Sequence, residues 1–508
     1  MTIDNSGLIS SALEKTAPAL ARSIDAAGSW KAAILKRGAR IRLFREYERG
    51  DHRASMTKEQ RKLLNITVGD ADMDNLNDNY CKVVIDKMSS RLFVSSISAG
   101  DQADEWLKET LAVNDFDAQQ QNLFRGAIRD GDSYVMIDSD SFLWVSEPAY
   151  DGFSGVVLII DSITRKPVWA CKLWSESDIN DLAGDDPTEA TMKIIVYQDD
   201  QISYWKGETG GANIEPENKI ESTVQNEAGD APDYVNFAAW PLDKIPLIHY
   251  ANQIDNFTQY GESELRPAIP LQDVLNRTLS TMLAASEFSG WKLLWSIGFE
   301  IDVDGITPGG IVNLVLKDGN GVITEMTTDQ IEFLKAAKVG QFEASDISQY
   351  TNQIDKIVQQ ISQTTQTPLY GVTASGNLSG EALKQLEIGL LGKIERFQKQ
   401  NTDAIKELVE MTAEMQNTFE GENAPVVDDI RVIWKPAGLL DVNARINTLT
   451  TMREKAPGLF VDEFYIERIG ALLGMSQADI KAEIEKAQSQ QGMLFETLSG
   501  GGGTIPPV

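Results

Sequence analysis

The sequence predicts an α+β fold that is mostly helical. Three observations carry this reading. Between about Ser133 and Tyr250 the chain breaks into seven short β-branched or aromatic runs separated by turn signals. A helical stretch at 116–129 precedes them, which points to an α+β domain with a largely antiparallel sheet. From Gly261 onward apolar residues return to helical spacing, most regularly over 381–416.

Taken in order, residues 1–27 are Ser- and Ala-rich and weakly patterned, and read as a flexible N-terminal arm. Residues 28–62 form a basic helical segment with Ile34, Ile41 and Phe44 facing inward. A turn-rich stretch at 69–79 supplies capping side chains for an amphipathic helix in which Tyr80, Val83, Val84, Met88 and Leu92 share a face. The runs YVMID, FLWV, VVLII, PVWACKLW, MKIIVY, ISYW and IPLIHY are the strands. Pro267 and Pro270 suit the first turns of a helix reaching about Phe288, and a Gly- and strand-rich insert follows at 289–329. A second helix, within 330–367, carries Ile347, Tyr350, Ile354, Ile357 and Ile361 at alternating steps of three and four, a heptad seam ended by Pro368. Residues 368–380 form a loop, and Ser379 and Glu381 suit the start of the next helix. In that long helix Leu383, Leu390, Phe397, Ala404 and Met411 recur every seven, with Glu387 and Asn401 as polar exceptions in the companion row. A strand, IRVIW, covers 430–434; helices follow to about 490, and 491–508 read as a flexible tail.

The chain has 508 residues and a formal charge of −30. No apolar run approaches the roughly 20 residues that span a bilayer. Two cysteines, Cys81 and Cys171, argue against a disulfide framework or a cysteine zinc site. The charge argues against a stable grip on DNA, which needs Lys and Arg at the phosphates. The charge is unevenly spread: residues 28–62 carry eleven basic and four acidic side chains, a surplus of +7, which leaves −37 on the rest. Arg37, Arg40, Arg42 and Arg45 in this segment are candidates for contact with an acidic partner.

Catalytic motifs are incomplete. The only histidines, His52 and His249, cannot form a zinc-binding HExxH pair. GESEL (261–265) resembles a nucleophile elbow but has Leu265 where glycine is required, so a turn explains Ser263 better. GLLGKI (389–394) lacks the first glycine and the Ser or Thr of a phosphate loop and reads as mid-helix. DADMDN (70–75) begins like a calcium loop but lacks its glycine and its twelfth-position glutamate. No catalytic residue, metal site or cofactor is assigned, and the residues lean toward a structural or assembly protein. An acidic multi-domain enzyme with dispersed site residues, or a different structural protein, is the alternative.

The order of elements resembles the portal, or head-to-tail connector, proteins of tailed bacteriophages over roughly 40–490. The resemblance rests on NYCKVVIDKMSSRLFV (79–94), DGDSYVMID (130–138), IPLIHYANQIDNFTQYGESEL (245–265) and ISQTTQTPLYGVTASGNLSGEALKQLE (361–387). It implies a portal fold with 63–260 as wing, 261–288 and 330–367 as stem helices, and 289–329 as clip. Residues 368–380 would be the tunnel loop, 381–436 the long wing helix and strand, and 437–490 a helical crown. It also implies a ring, typically a dodecamer, at one capsid vertex. Double-stranded DNA would pass through it without sequence specificity during packaging and ejection. The implied partners are the packaging terminase, the major capsid and scaffold proteins and a tail adaptor, with no membrane. The implied location is the virion, after assembly in the host cytoplasm.

On this resemblance the DNA-facing residues are Tyr370, Gly371, Val372, Thr373, Ala374, Ser375, Gly376, Asn377, Leu378 and Ser379. No charged residue lies between Pro368 and Gly380, which suits a collar that touches phosphate without holding it. Lys384 and Lys393 are candidate lumen cations, and Trp291 and Trp295 candidate clip-interface anchors.

Overall fold

The computed structural model describes residues 6–21, 30–51, 78–176, 191–221, 234–254, 259–290, 294–297, 317–318, 321–322, 338–341, 346–369, 380–419, 425–438, 442–455, 462–473 and 480–487, apart from short breaks within them. The chain divides into two compact units. One comprises Met1–Arg45, Val84–Arg266 and Asn377–Val508; the other comprises Glu46–Val83 and Pro267–Gly376.

The first unit is organised around antiparallel strands. The larger sheet runs in the order 237–239, 201–208, 191–197, 167–176, 154–160, with 214–216 added to 201–208. Period-two alternation gives it two apolar faces. Val157, Trp169, Cys171, Leu173, Met192, Ile194 and Val196 share one cluster. Val156, Leu158, Ile160, Ala170 and Tyr197 belong to the other, together with Tyr134, Met136 and Leu247 of a second sheet. That second sheet has the order 247–251, 132–137, 143–146.

The first cluster is covered by helix α1, Ser6–Thr16, and this corrects the expectation of a flexible N-terminal arm. Leu8, Ile9, Ala12 and Leu13 form one buried face, because spacings of one, four and five residues return to the same side of a helix. The helix is also fixed by polar contacts. Trp169 Nε1 donates to Thr16 Oγ1 at 3.0 Å and Lys15 Nζ to the Ile214 carbonyl at 2.5 Å. The Ser/Ala-rich composition hid an amphipathic turn pattern only eleven residues long.

Helix α2 (Trp30–Arg49) turns Ile41 and Phe44 inward as expected. Helix α3 (Tyr80–Ser89) is capped by Asn79, whose Oδ1 accepts from the Lys82 N–H at 3.0 Å. The helix ends at Ser89, short of Leu92, which was expected on its face, and strand 94–98 follows and pairs with 431–434. Helices α4 (Asp104–Val113) and α5 (Phe116–Asp130) lead into the three-stranded sheet.

In the second unit, helices α6 (Ile269–Gly290) and α7 (Ser348–Thr364) pack together. Strand 294–297 pairs with 338–341, and 317–318 with 321–322. The second stem helix was expected from residue 330. The structure instead gives 338–341 to a strand, and α7 starts at Ser348, where Asp346 Oδ1 accepts the Ser348 N–H at 2.9 Å. Ile357 and Ile361 of the expected seam are buried, whereas Ile354 is half-buried.

Helix α8 spans Gly380–Phe419, 40 residues and hence about 60 Å at 1.5 Å per residue. Its expected apolar rows are buried at Leu390, Ile394, Phe397, Leu408, Met411 and Met415. Phe397 meets Phe124 of α5 edge-on, with centroids 5.8 Å apart. Helices α9 (Val442–Lys455) and α10 (Asp462–Leu473) follow.

Both polar exceptions in α8 have reasons. Asn401 closes the edge of strand 247–251: its Oδ1 accepts the Ala251 N–H and its Nδ2 donates to the Ala251 carbonyl, each at 3.1 Å. Asn401→Ala leaves those two buried backbone groups unpaired. It should cost about 1–3 kcal/mol in urea unfolding; a change under about 0.5 kcal/mol, the level of an ordinary surface substitution, would refute the edge-closing role.

Candidate functional site

Within the first unit, parts of the segments that carried the resemblance hold one another. Asp132 opens the strand of DGDSYVMID with its side chain fully buried. Three donors converge on it: Arg37 Nη2 at 2.5 Å, His249 Nε2 at 2.7 Å and the Gly261 N–H at 2.8 Å. Burial alone would raise the Asp132 pKa, but the Arg37 charge and the His249 and Gly261 hydrogen bonds more than offset it and hold the carboxyl below its ordinary value. The Arg37 guanidinium also lies 3.9 Å from the Tyr260 ring centroid, and His249 stacks on Tyr134 with centroids 5.1 Å apart.

Two residues earlier, the buried Asp130 carboxylate accepts from Arg45 Nη2 at 2.7 Å and from Arg129 Nη2 at 2.8 Å. Gly131 stands between the two aspartates with φ +96°, a region that favours glycine. A Cβ on Gly131 would lie 2.5 Å from the Gly261 carbonyl oxygen, and one on Gly261 would lie 2.1 Å from that of Gly131. The glycines of DGDSYVMID and YGESEL are thus required by one close approach of two backbones. Asn252 continues the junction, donating its N–H to the Gly131 carbonyl and its Nδ2 to the Glu262 carbonyl, each at 2.8 Å.

A second tie joins the other two segments. Arg91, in NYCKVVIDKMSSRLFV, donates to Glu387 of α8 at 2.9 Å. Sequence reasoning did not find these roles. The available signal was a pair of carboxylates flanking glycine just before the apolar run YVMI, in a chain whose basic residues cluster elsewhere.

The expected site residues fall as follows. The acidic partner expected for Arg37 and Arg45 lies within the chain itself, so these two are not outward-facing cations. Arg40 is exposed and Arg42 half-buried. Lys393, expected as a lumen cation, is 7 % exposed and ion-paired with Glu264. A charged group removed from water needs such a partner, and Glu264 also accepts from Asn252 and Gln253. Lys384 lies in α8, but its side chain is outside the described residues, as are Trp291 and the side chain of Trp295 on strand 294–297.

Tyr370 to Ser379 also lie outside the described residues. The approach to them is described: after α7, Thr365 and Thr367 are buried and locally bonded. Ser362 Oγ donates to the Thr367 carbonyl at 2.8 Å, and Leu369 is buried. Gly380 then begins α8.

No hydrolytic arrangement forms around Ser263. Its Oγ accepts the Leu265 N–H at 3.1 Å, while His249 is engaged by Asp132. GLLGKI lies inside α8, as its motif defects indicated. Burial pushes the Cys81 thiol up to about 12 and raises Cys171 as well; both are unpaired. Among the described residues no group of three or more His, Cys, Asp or Glu is placed to hold a metal, and no helix is long and apolar enough to cross a membrane.

Comparison with known proteins gives a match to the family described as phage portal protein, SPP1 Gp6-like, over residues 40–490. The portal protein of Mycobacterium phage D29 is 23 % identical over 257 residues, covering 50 % of this chain and 51 % of the relative. That of Mycobacterium phage L5 is 24 % identical over 234 residues, covering 44 % of each. The chain thus spans about half the length of the curated relatives it matches. Among solved structures, a chain of the virion of a native gene transfer agent particle aligns with TM-score 0.36 at 11 % identity, covering 83 % of this chain and 94 % of the other. A chain from the neck of an empty particle of the same kind aligns with TM-score 0.38 at 12 % identity and the same coverage.

Proposed function

The chain belongs to the SPP1 Gp6-like family of phage portal proteins, and from that premise we propose that it assembles into a ring at one vertex of a phage capsid. The ring, a dodecamer, is the channel through which double-stranded DNA enters during packaging and leaves during ejection. It docks the packaging terminase, contacts the major capsid and scaffold proteins, and later receives the tail adaptor. The family match over 40–490 carries this reading.

In this reading the first unit supplies the wing, with the long α8 crossing it, and the end of the chain supplies the crown. Helices α6 and α7 act as the stem and the strands between them as the clip. Residues 368–380 narrow the channel. An uncharged loop and an acidic chain suit a conduit rather than a clamp, since phosphate contacts from Lys and Arg would slow a sliding polyanion. The protein acts as a structural part of the virion rather than as an enzyme.

Negative-stain imaging of the purified chain tests the proposal. The expected outcome is discrete rings with a central hole. A persistent 56.0 kDa monomer at all concentrations, with and without prohead partners, would overturn it.

A further inference from the structure

Several sheet edges in the first unit are closed by side chains. Asn401 closes strand 247–251. Tyr260 and Gln259 donate to the Leu158 and Ile160 carbonyls of strand 154–160, each at 2.8 Å. Asn114 accepts the Leu143 N–H of strand 143–146 at 2.7 Å.

The edge of strand 94–98 is different. Among the described residues it pairs with 431–434 and with no other strand. Its ends are tied, the Val94 N–H by Gln120 Oε1 and the Ala99 N–H by Asp104 Oδ1, each at 2.7 Å. Between these ties Ser95, Ser96 and Ile97 line an open cleft of ≈ 800 Å³. No partner outside the two-stranded ladder meets their backbone groups among the described residues. The far wall combines Leu111, Ala112 and Phe116 with Glu105, Asp115 and Asp117. These three carboxylates are exposed, and none is ion-paired among the described residues. With Asp104 they outnumber the two cations at the cleft, Lys108 and Lys481.

We propose that this edge takes up an extended, basic segment of another polypeptide by strand addition. Past an irregularity at Ser95, this edge offers main-chain donors and acceptors that can supply affinity to an extended chain. The carboxylates select among guests, because a Lys- or Arg-bearing strand is attracted and an acidic one repelled. A second copy of this chain is the rival occupant, because its own residues 28–62 carry a surplus of +7, and the test below separates the two. The distance between the tied ends fits a guest of about four or five residues at 3.3 Å each. The proposal does not depend on the portal reading.

The test uses the full chain with two labelled peptides, one alternating Lys and Val and one alternating Glu and Val, followed by hydrogen exchange. The Lys peptide should slow exchange at 94–98 by about tenfold, and the Glu peptide should not. Raising salt to about 0.5 M should weaken the Lys peptide's effect by screening. The double variant Glu105→Lys/Asp115→Lys should bind the Lys peptide about tenfold more weakly. The milder Glu105→Gln/Asp115→Asn pair preserves shape, and Asn tolerates the positive φ of 47° at position 115. It should give a smaller loss in the same direction. Unchanged exchange at 94–98, or equal effects of the two peptides, overturns the proposal. So does protection of 94–98 in the chain's own oligomer without peptide, which would make a second copy the occupant.

Discussion

Replacing Asp132 by alanine should destabilise the first unit by about 3–5 kcal/mol, the usual cost of removing one partner from a buried ion pair. The substitution strands Arg37 in a site where only 17 % of its side chain reaches solvent, and it frees His249 Nε2 and the Gly261 N–H together. Asp132→Asn keeps the shape and one acceptor but not the charge, and should fall between alanine and the parent. Urea unfolding followed by near-ultraviolet circular dichroism reads both. Values for both variants within about 0.5 kcal/mol of the parent would falsify the buried-charge account.

The same cluster sets a pH dependence. The folded Asp132 pKa is depressed, so its stabilisation is fully present above the unfolded value of about 3.9 and is lost as pH falls through the folded one. Asp132→Asn should therefore flatten this part of the acid limb. An unchanged acid limb would assign the acid sensitivity to other carboxylates.

The second large effect concerns residues 368–380, which the sequence leads one to expect as a loop. Deleting Val372 to Leu378 should leave ring assembly intact and reduce DNA packaged or retained per particle by at least about tenfold. The segment has no charge to contribute to an interface, and the described chain on either side has buried residues of its own, Leu369 before it and Leu390 in α8 after it. Ring counts from imaging and nuclease-protected DNA per particle measure the two quantities separately. Loss of rings in the deletion variant would remove 368–380 from the role of tunnel loop.

Charge reversal across the basic segment now divides by residue. Arg37 and Arg45 meet Asp132 and Asp130 inside the unit, so their reversal acts on folding. Arg40 is exposed and is the position at which a partner contact is tested without that complication.

The sequence was most legible where one physical pattern acted over many residues. The seven-residue repeat from Leu383 to Met411 marked α8 to within a few residues, and β-branched or aromatic runs marked the strands of both sheets except the short 214–216 and 237–239. Prolines and capping residues placed several helix ends. The sequence was least legible where a short pattern competed with composition. In α1, Leu8, Ile9, Ala12 and Leu13 make a full buried face, yet Ser and Ala around them suggested a loose arm. At 338–341 a strand was hidden because its partner, 294–297, lies some forty residues away and pairing leaves no local trace.

What the sequence by itself determined is the class of fold, the positions of its long elements, the family and the uneven placement of charge. The family follows from the resemblance of four segments in their order; the rest follow from periodicity, turn chemistry and composition, which are local or additive. Only the tertiary structure decided which charges are used up within the chain. Arg37, Arg45 and Lys393 read as free cations along the sequence, but each has a carboxylate brought to it by backbone pairing far away in the chain. Burial makes that difference: the same ion pair contributes little in water and becomes obligatory once both groups have lost their hydration.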